Sequence, residues 1–179
     1  MKRLIALIVL LFAAACSSPP SDKVVQSPGS GVQTGPQGAS QIADYLLVDK
    51  SDRTLIAYQS GRPIRVYRSI RFGDAPMGHK RFEGDERTPE GIYTIDTRNP
   101  QSSYHLSLRV SYPNATDRAY AEARGRSPGG DIFIHGQPNG YGGPALAYDW
   151  TDGCIALSNA EIEELWRLVP DGTPIEIRQ

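Results

Sequence analysis

Short alternations of apolar and polar residues begin near Ile42 and continue to the end of the chain. Residues 45–49 and 54–58 are β-rich runs separated by the turn formers Ser51 and Asp52. Residues 65–71 follow a Ser60-Gly61 turn with partial alternation, so the three runs together predict a β-meander. Further strands are predicted at 92–96, 104–112, 131–134 and 173–178. Two stretches follow a helical period instead. Ile162, Leu165, Trp166 and Val169 fall at i, i+3, i+4 and i+7, which makes one buried stripe, and Ser158 with Glu161 is spaced as a capping box at its start. Asn114 is placed to cap a shorter helix ending at Gly125. Asp171-Gly172 then turns the chain into the last strand, and no internal repeat appears. The pattern predicts one domain over 42–179, mainly β, with two short helices.

The N-terminal pattern is different in kind. Lys2 and Arg3 precede a 12-residue apolar run, residues 4–15, which stops at Cys16. A basic start, a short apolar core and small residues before a cut describe a secretory signal. The run falls short of the ~20 residues that span a bilayer. An ordinary cleaved signal and a marginal membrane helix are the plain alternatives. Ala13-Ala14-Ala15-Cys16 resembles a bacterial lipobox, with Ala13 where leucine is commoner. That resemblance implies a signal peptide over 1–15 and a lipid on Cys16, held by ~0.8 kcal/mol per buried methylene. Ser17 stands where an aspartate would resemble an inner-membrane retention signal, so the expected location is the cell envelope, facing the periplasm, with the outer membrane favoured. Residues 16–41 are rich in Ser, Pro, Gly and Gln and bury too little to offset their ordering entropy. They read as a flexible tether spanning roughly 25–30 Å, suited to searching a fixed polymer, or as a plain spacer.

Composition narrows the function classes only a little. The chain has 179 residues, 39% hydrophobic and 22% charged, enough for one real core. Net charge is -1 and becomes -3 once Lys2 and Arg3 are removed, with both signs well mixed. Nucleic-acid binding needs a one-sided basic surface, which is not present. A monomer is expected. Cysteine usage is more informative. With Cys16 lipidated, Cys154 is the one cysteine left, and a lone thiol cannot form an internal disulfide.

Cys154 lies in Thr151-Asp152-Gly153-Cys154, nineteen positions after His135, which ends an apolar strand and precedes Gly136. A neighbouring imidazole can deprotonate a thiol at neutral pH, and Gly153 lets the backbone approach a ligand closely enough for turn amides to form an oxyanion hole. A buried inert thiol and a structural histidine are the bland alternatives. His79 and His105 complete the three histidines; no Cys-x-x-Cys or His-x-x-x-His pair accompanies them, so no metal is expected.

His135-Gly136 followed by Thr151-Asp152-Gly153-Cys154 resembles the signature of the L,D-transpeptidase catalytic domain family (YkuD type). Thr88-Pro89-Glu90-Gly91, after Gly78-His79-Lys80, resembles that family's Thr-Pro-x-Gly strand entry. The resemblance runs from about Tyr45 to Arg178. It implies a mixed, β-sandwich-like sheet with a cysteine and a histidine in a cleft, acting on peptidoglycan stem peptides without cofactor. Cys154 would attack the diaminopimelate carbonyl to give a thioester and expel D-alanine, and His135 would carry the proton. The Gly136 carbonyl would orient His135, and the Gly153 and Cys154 amides would hold the oxyanion. An amine from another stem or from an outer-membrane lipoprotein would resolve the thioester.

This sequence departs from the family at two places. Asp152 replaces a common histidine, and Ala156 replaces a common arginine two residues after the cysteine. The Gly-Cys-x-Ala form also resembles a branch that uses water to detach protein from diaminopimelate. A hydrolase is therefore one alternative, and a non-catalytic peptidoglycan-binding lipoprotein is another. Substrate-binding candidates are Thr151, Asp152, Arg87, Arg109, Arg126 and Tyr148; the arginines suit diaminopimelate carboxylates, or are simply solvated. The Gly- and aromatic-rich segment 137–150 reads as a lid or as a packed surface loop.

Overall fold

A computed structural model describes residues 41–179. The expected signal peptide, the lipidated Cys16 and the tether up to residue 40 lie outside the described residues. Eight strands form one curled mixed sheet: β1 (Tyr45–Asp49), β2 (Thr54–Gln59), β3 (Arg62–Arg68), β4 (Gly91–Asn99), β5 (Ser107–Val110), β6 (Phe133–His135), β7 (Ile155–Ala156) and β8 (Pro174–Arg178). The spatial order is β3-β2-β1-β8-β4-β5-β6-β7. The β1–β8 and β6–β7 pairs are parallel and the rest antiparallel.

The curl comes from β4. Its first half pairs with β8, its second half with β5, and the register shifts between Ile95 and Thr97. Such a bulge bends a strand and lets one sheet act as two facing arms. The chain after β3 then returns to the far edge. Arg71 bridges Ala156 of β7, and Gly73 bridges Thr151. One face of each arm supplies the core, because alternate strand residues point to opposite faces. Leu46 and Val48 of β1, Ile175 and Ile177 of β8, Leu108 and Val110 of β5, and Ile134 of β6 are all buried.

Helix α2 (Asn159–Leu168) covers part of this core with Ile162, Leu165 and Leu168. Ser158 accepts from the Glu161 amide, and the Glu161 carboxylate accepts from the Ser158 amide, the expected capping box. Trp166 is only half-buried, contrary to the stripe read from the sequence, and Leu168 takes the inward place. The Trp166 ring lies under the Arg98 guanidinium at 4.3 Å, an amphipathic use of a large ring. Helix α1 (Ala115–Glu122) is capped by Asn114, as expected, and stops three residues before Gly125.

Several strand boundaries differ from expectation, and β4 runs three residues past the expected end at 96. The run 65–71 begins earlier, at Arg62, since Ser60 and Gly61 both take positive φ and form a tight hairpin turn. The long strand expected at 104–112 is reduced to four residues. His105 sits at φ 67°, which no strand residue adopts, and this leaves Tyr104 in a loop. Asp131, at φ 53°, likewise falls outside β6, and β7 is too short to leave a periodic signal.

Candidate active site

His135 is the last residue of β6, paired with Ser107 of β5 and Ala156 of β7. Ile134 faces the core, so Phe133 and His135 share the opposite face and both line a cavity of about 440 Å³. Cys154 immediately precedes β7 and opens into the same cavity. Local hydrogen bonds hold its turn. The Thr151 hydroxyl donates to the Cys154 carbonyl at 2.8 Å and accepts from the Gly153 amide at 3.2 Å, while the Thr151 amide donates to the Phe72 carbonyl. Gly153 sits at φ 121°, and a Cβ there would come within 2.4 Å of the Arg87 carbonyl oxygen. The segment that leads through Thr88-Pro89 into β4 therefore backs the Cys154 turn directly. Only glycine fits between them.

The imidazole has one fixed nitrogen. Nδ1 lies 2.8 Å from the Gly136 carbonyl oxygen, which can only accept, so Nδ1 carries the proton and Nε2 is the basic site. Burial lowers the His135 pKa below the ordinary imidazole value, opposed by the Gly136 carbonyl. Burial pushes the Cys154 thiol up to about 11, although the Phe133 amide works the other way. Its Sγ donates to the Asp131 carbonyl and accepts from the Phe133 amide, both at 3.4 Å. Among the described residues no hydrogen bond joins Sγ to His135. Burial thus favours the uncharged forms of both groups, and the Sγ bonds go to Asp131 and Phe133.

The residues singled out in the sequence are distributed unevenly around this cavity. Cys154, His135, Thr151 and Asp152 line it. Asp152 is exposed and also borders a smaller acidic cleft of about 320 Å³ with Asp131, Glu83 and Glu86. Gly136 lies beneath His135, where an added Cβ would meet Asn159 Oδ1 at 2.6 Å. Arg87, Arg109, Arg126 and Tyr148 line neither space. Arg109 forms a fork with Asp96, Arg126 stacks on Phe82 at 3.8 Å, and Tyr148 is 62% exposed. His79 bonds Asp117 and the Glu90 amide, and His105 bonds Glu163. Among the described residues no three His, Cys, Asp or Glu side chains gather as metal ligands.

Sequence reasoning missed several residues here. The sequence pattern places Tyr104 in a strand, but its ring packs 4.6 Å from His135. By sequence Trp150 is one of several aromatics in the segment 137–150, yet its ring lies 5.5 Å from the same imidazole. Gln137 is buried and ties the segment 137–150 down: its Nε2 donates to the Leu157 carbonyl and its Oε1 accepts from the Leu146 amide. Its position directly after His135-Gly136 was the only available signal.

A curled mixed sheet that brings a histidine at the end of β6 and a cysteine just before β7 onto one cavity defines a class of domains, and comparison with known proteins identifies which. The family model of the L,D-transpeptidase catalytic domain (YkuD) matches residues 43–177, and the chain belongs to that family. It is 28% identical over 131 residues to YafK of Escherichia coli (strain K12), provisionally named an L,D-transpeptidase, covering 70% of this chain and 46% of YafK. The chain therefore spans about half the length of that relative. The crystal structure of the helical cell shape determining protein Pgp2 from Campylobacter jejuni superposes with a TM-score of 0.61 at 31% identity, covering 78% of this chain and 48% of Pgp2. An L,D-transpeptidase from Mycobacterium smegmatis, at 17% identity and a TM-score of 0.51, shares the fold; the match covers 76% of this chain and 59% of that one.

Proposed function

We propose that this protein is a cysteine-dependent peptidoglycan L,D-transpeptidase acting on the diaminopimelate of stem peptides through a Cys154 thioester. The observation that carries this reading is the Gly136 lock on Nδ1, which leaves a basic Nε2 on the cavity that also receives the Cys154 thiol. As Sγ attacks the diaminopimelate carbonyl carbon, the thiol proton passes to Nε2 and the carbonyl oxygen takes the negative charge. Collapse breaks the bond to D-alanine, whose nitrogen leaves with the proton from Nε2. An acceptor amine then attacks the thioester, loses its proton to His135, and restores the thiol. The Gly153 amide is engaged with Thr151 at rest, so the oxyanion draws it out of that bond or relies on the Cys154 amide.

One observation favours a second reading. Among the described residues no arginine or lysine lines the larger cavity, whereas Asp131 and Asp152 do. A leaving group with a free carboxylate gains no ion pair there, which suits hydrolytic release of a protein or peptide from diaminopimelate. We place the domain in the envelope, held by a lipid on Cys16, and Pgp2's name suggests a part in cell shape. The test is product analysis with a disaccharide-tetrapeptide donor and a second stem peptide as acceptor. Cross-linked dimer with free D-alanine supports transpeptidation; tripeptide without dimer, or release from lipoprotein-linked sacculi alone, supports the hydrolase.

A further inference from the structure

Among the described residues His135 has no carboxylate partner. Its Nδ1 is held by a neutral carbonyl, and its buried ring must accept a full positive charge when the thiol proton arrives. Two aromatic rings border it instead. The Tyr104 ring lies 4.6 Å away, tilted by 32° and so close to stacked, and the Trp150 ring lies 5.5 Å away at 67°. The two rings also touch each other, with centroids 5.7 Å apart. Both centroids fall within the ~6 Å over which a cation is drawn to an aromatic face. The Trp150 indole N–H is buried and has no partner among the described residues, so a hydrogen bond does not explain the position of the ring.

We propose that Tyr104 and Trp150 form an aromatic clamp that orients the His135 ring and stabilises its imidazolium form by cation–π attraction, in place of a carboxylate partner. Both are positioning residues acting through His135, and their role in turnover rests on the transpeptidase or hydrolase reading above. The other groups facing His135 do not supply the charge. From β5 there is Ser107, and Arg109 is committed to Asp96. The β7 side offers Ala156 and the thiol of Cys154, and α2 offers Asn159, with Glu163 committed to His105. The Asp131 and Asp152 carboxylates sit on the cavity rim, and neither is bonded to the ring among the described residues.

The experiment reads the imidazole itself, without substrate. The full-length protein in detergent, labelled with 15N at histidine, is titrated by NMR, and His135 is assigned by its loss in His135→Gln. Tyr104 is 40% exposed, so Tyr104→Leu leaves the core intact. The clamp predicts that Tyr104→Leu and Trp150→Leu each lower the His135 midpoint by about 0.5–1 unit, while Tyr104→Phe, which keeps the π face, leaves it in place. Replacing tryptophan with fluorinated tryptophans keeps the shape and weakens the π face, so the midpoint should fall as fluorines are added. An unchanged or raised midpoint in the Leu variants, or no trend with fluorine, overturns the clamp. Because no turnover is measured, an inactive protein with the predicted shifts would sink the functional reading and leave the clamp standing. Unshifted midpoints in an active protein would do the reverse.

Discussion

Burial favours the uncharged forms of the Cys154 thiol and the His135 imidazole, which sets how activity should depend on pH. Burial lowers the histidine pKa below its ordinary 6.5, so the neutral base survives into mildly acidic solution. The acid limb of kcat/KM should therefore have its midpoint below 6.5, and a midpoint at 7 or above would contradict a buried neutral base. The same shift acts on stability. His79, lowered chiefly by burial, and His135 bind a proton less readily when folded than when unfolded. Their contribution is complete above the unfolded value near 6.5 and declines as pH falls below it, so Tm should drop between pH 7.5 and 5.5. A flat Tm over that window would show that neither histidine is buried in solution. Gly153 gives a sharper steric test. Gly153→Ala forces a Cβ to within 2.4 Å of the Arg87 carbonyl at φ 121°, which should cost about 1–3 kcal/mol and displace the nucleophile turn, read as a lower Tm with lost activity.

Elements with strong local signals were legible in the sequence. The capping box at Ser158 and the apolar stripe behind it gave α2 almost to the residue, because a cap and a 3.6-residue period are both local. Ser158→Ala should lower stability by about 1 kcal/mol in chemical denaturation with activity retained per folded molecule. Strand limits were less legible, because they depend on backbone turns that only tertiary contacts stabilise. His105 at φ 67° cuts the strand expected at 104–112, and its amide is met by Asn139 Oδ1, thirty-four residues away. That break is what swings Tyr104 over His135. The segment 137–150 is anchored by Gln137, whose partners Leu146 and Leu157 no local pattern reveals. Gln137→Ala should speed amide hydrogen exchange across 137–150 while leaving β1 and β8 protected. Unchanged exchange in that segment would mean that other contacts hold it.

Across the whole molecule, the two halves of the motif meet because β6 and β7 pair directly, and the segment before Cys154 closes back onto the first hairpin. Arg53, in the β1–β2 turn, forms a two-pronged bond with Asp149 at 2.7 Å on each arm, and Asp149 also accepts from the Phe72 amide. Burial raises the Asp149 carboxyl, but the Arg53 fork and the Phe72 amide outweigh it and hold it below the usual carboxylate range. The sequence showed the catalytic candidates through spacing, and the family through motif, but not this closure. A pair separated by 96 residues leaves no periodic trace. For the same reason the expected arginines could not be tied to substrate from sequence, and Arg109 and Arg126 are engaged elsewhere on the surface.

The central claim is that Cys154 carries the acyl group of a stem peptide. Its most direct test is intact-protein mass spectrometry of the full-length protein in detergent, quenched in acid during incubation with disaccharide-tetrapeptide, with Cys154→Ala alongside. The account predicts an adduct of the donor minus D-alanine, mapped to Cys154, released by hydroxylamine and absent from the variant. Turnover by both proteins, or by neither, with no adduct at any quench time would contradict it.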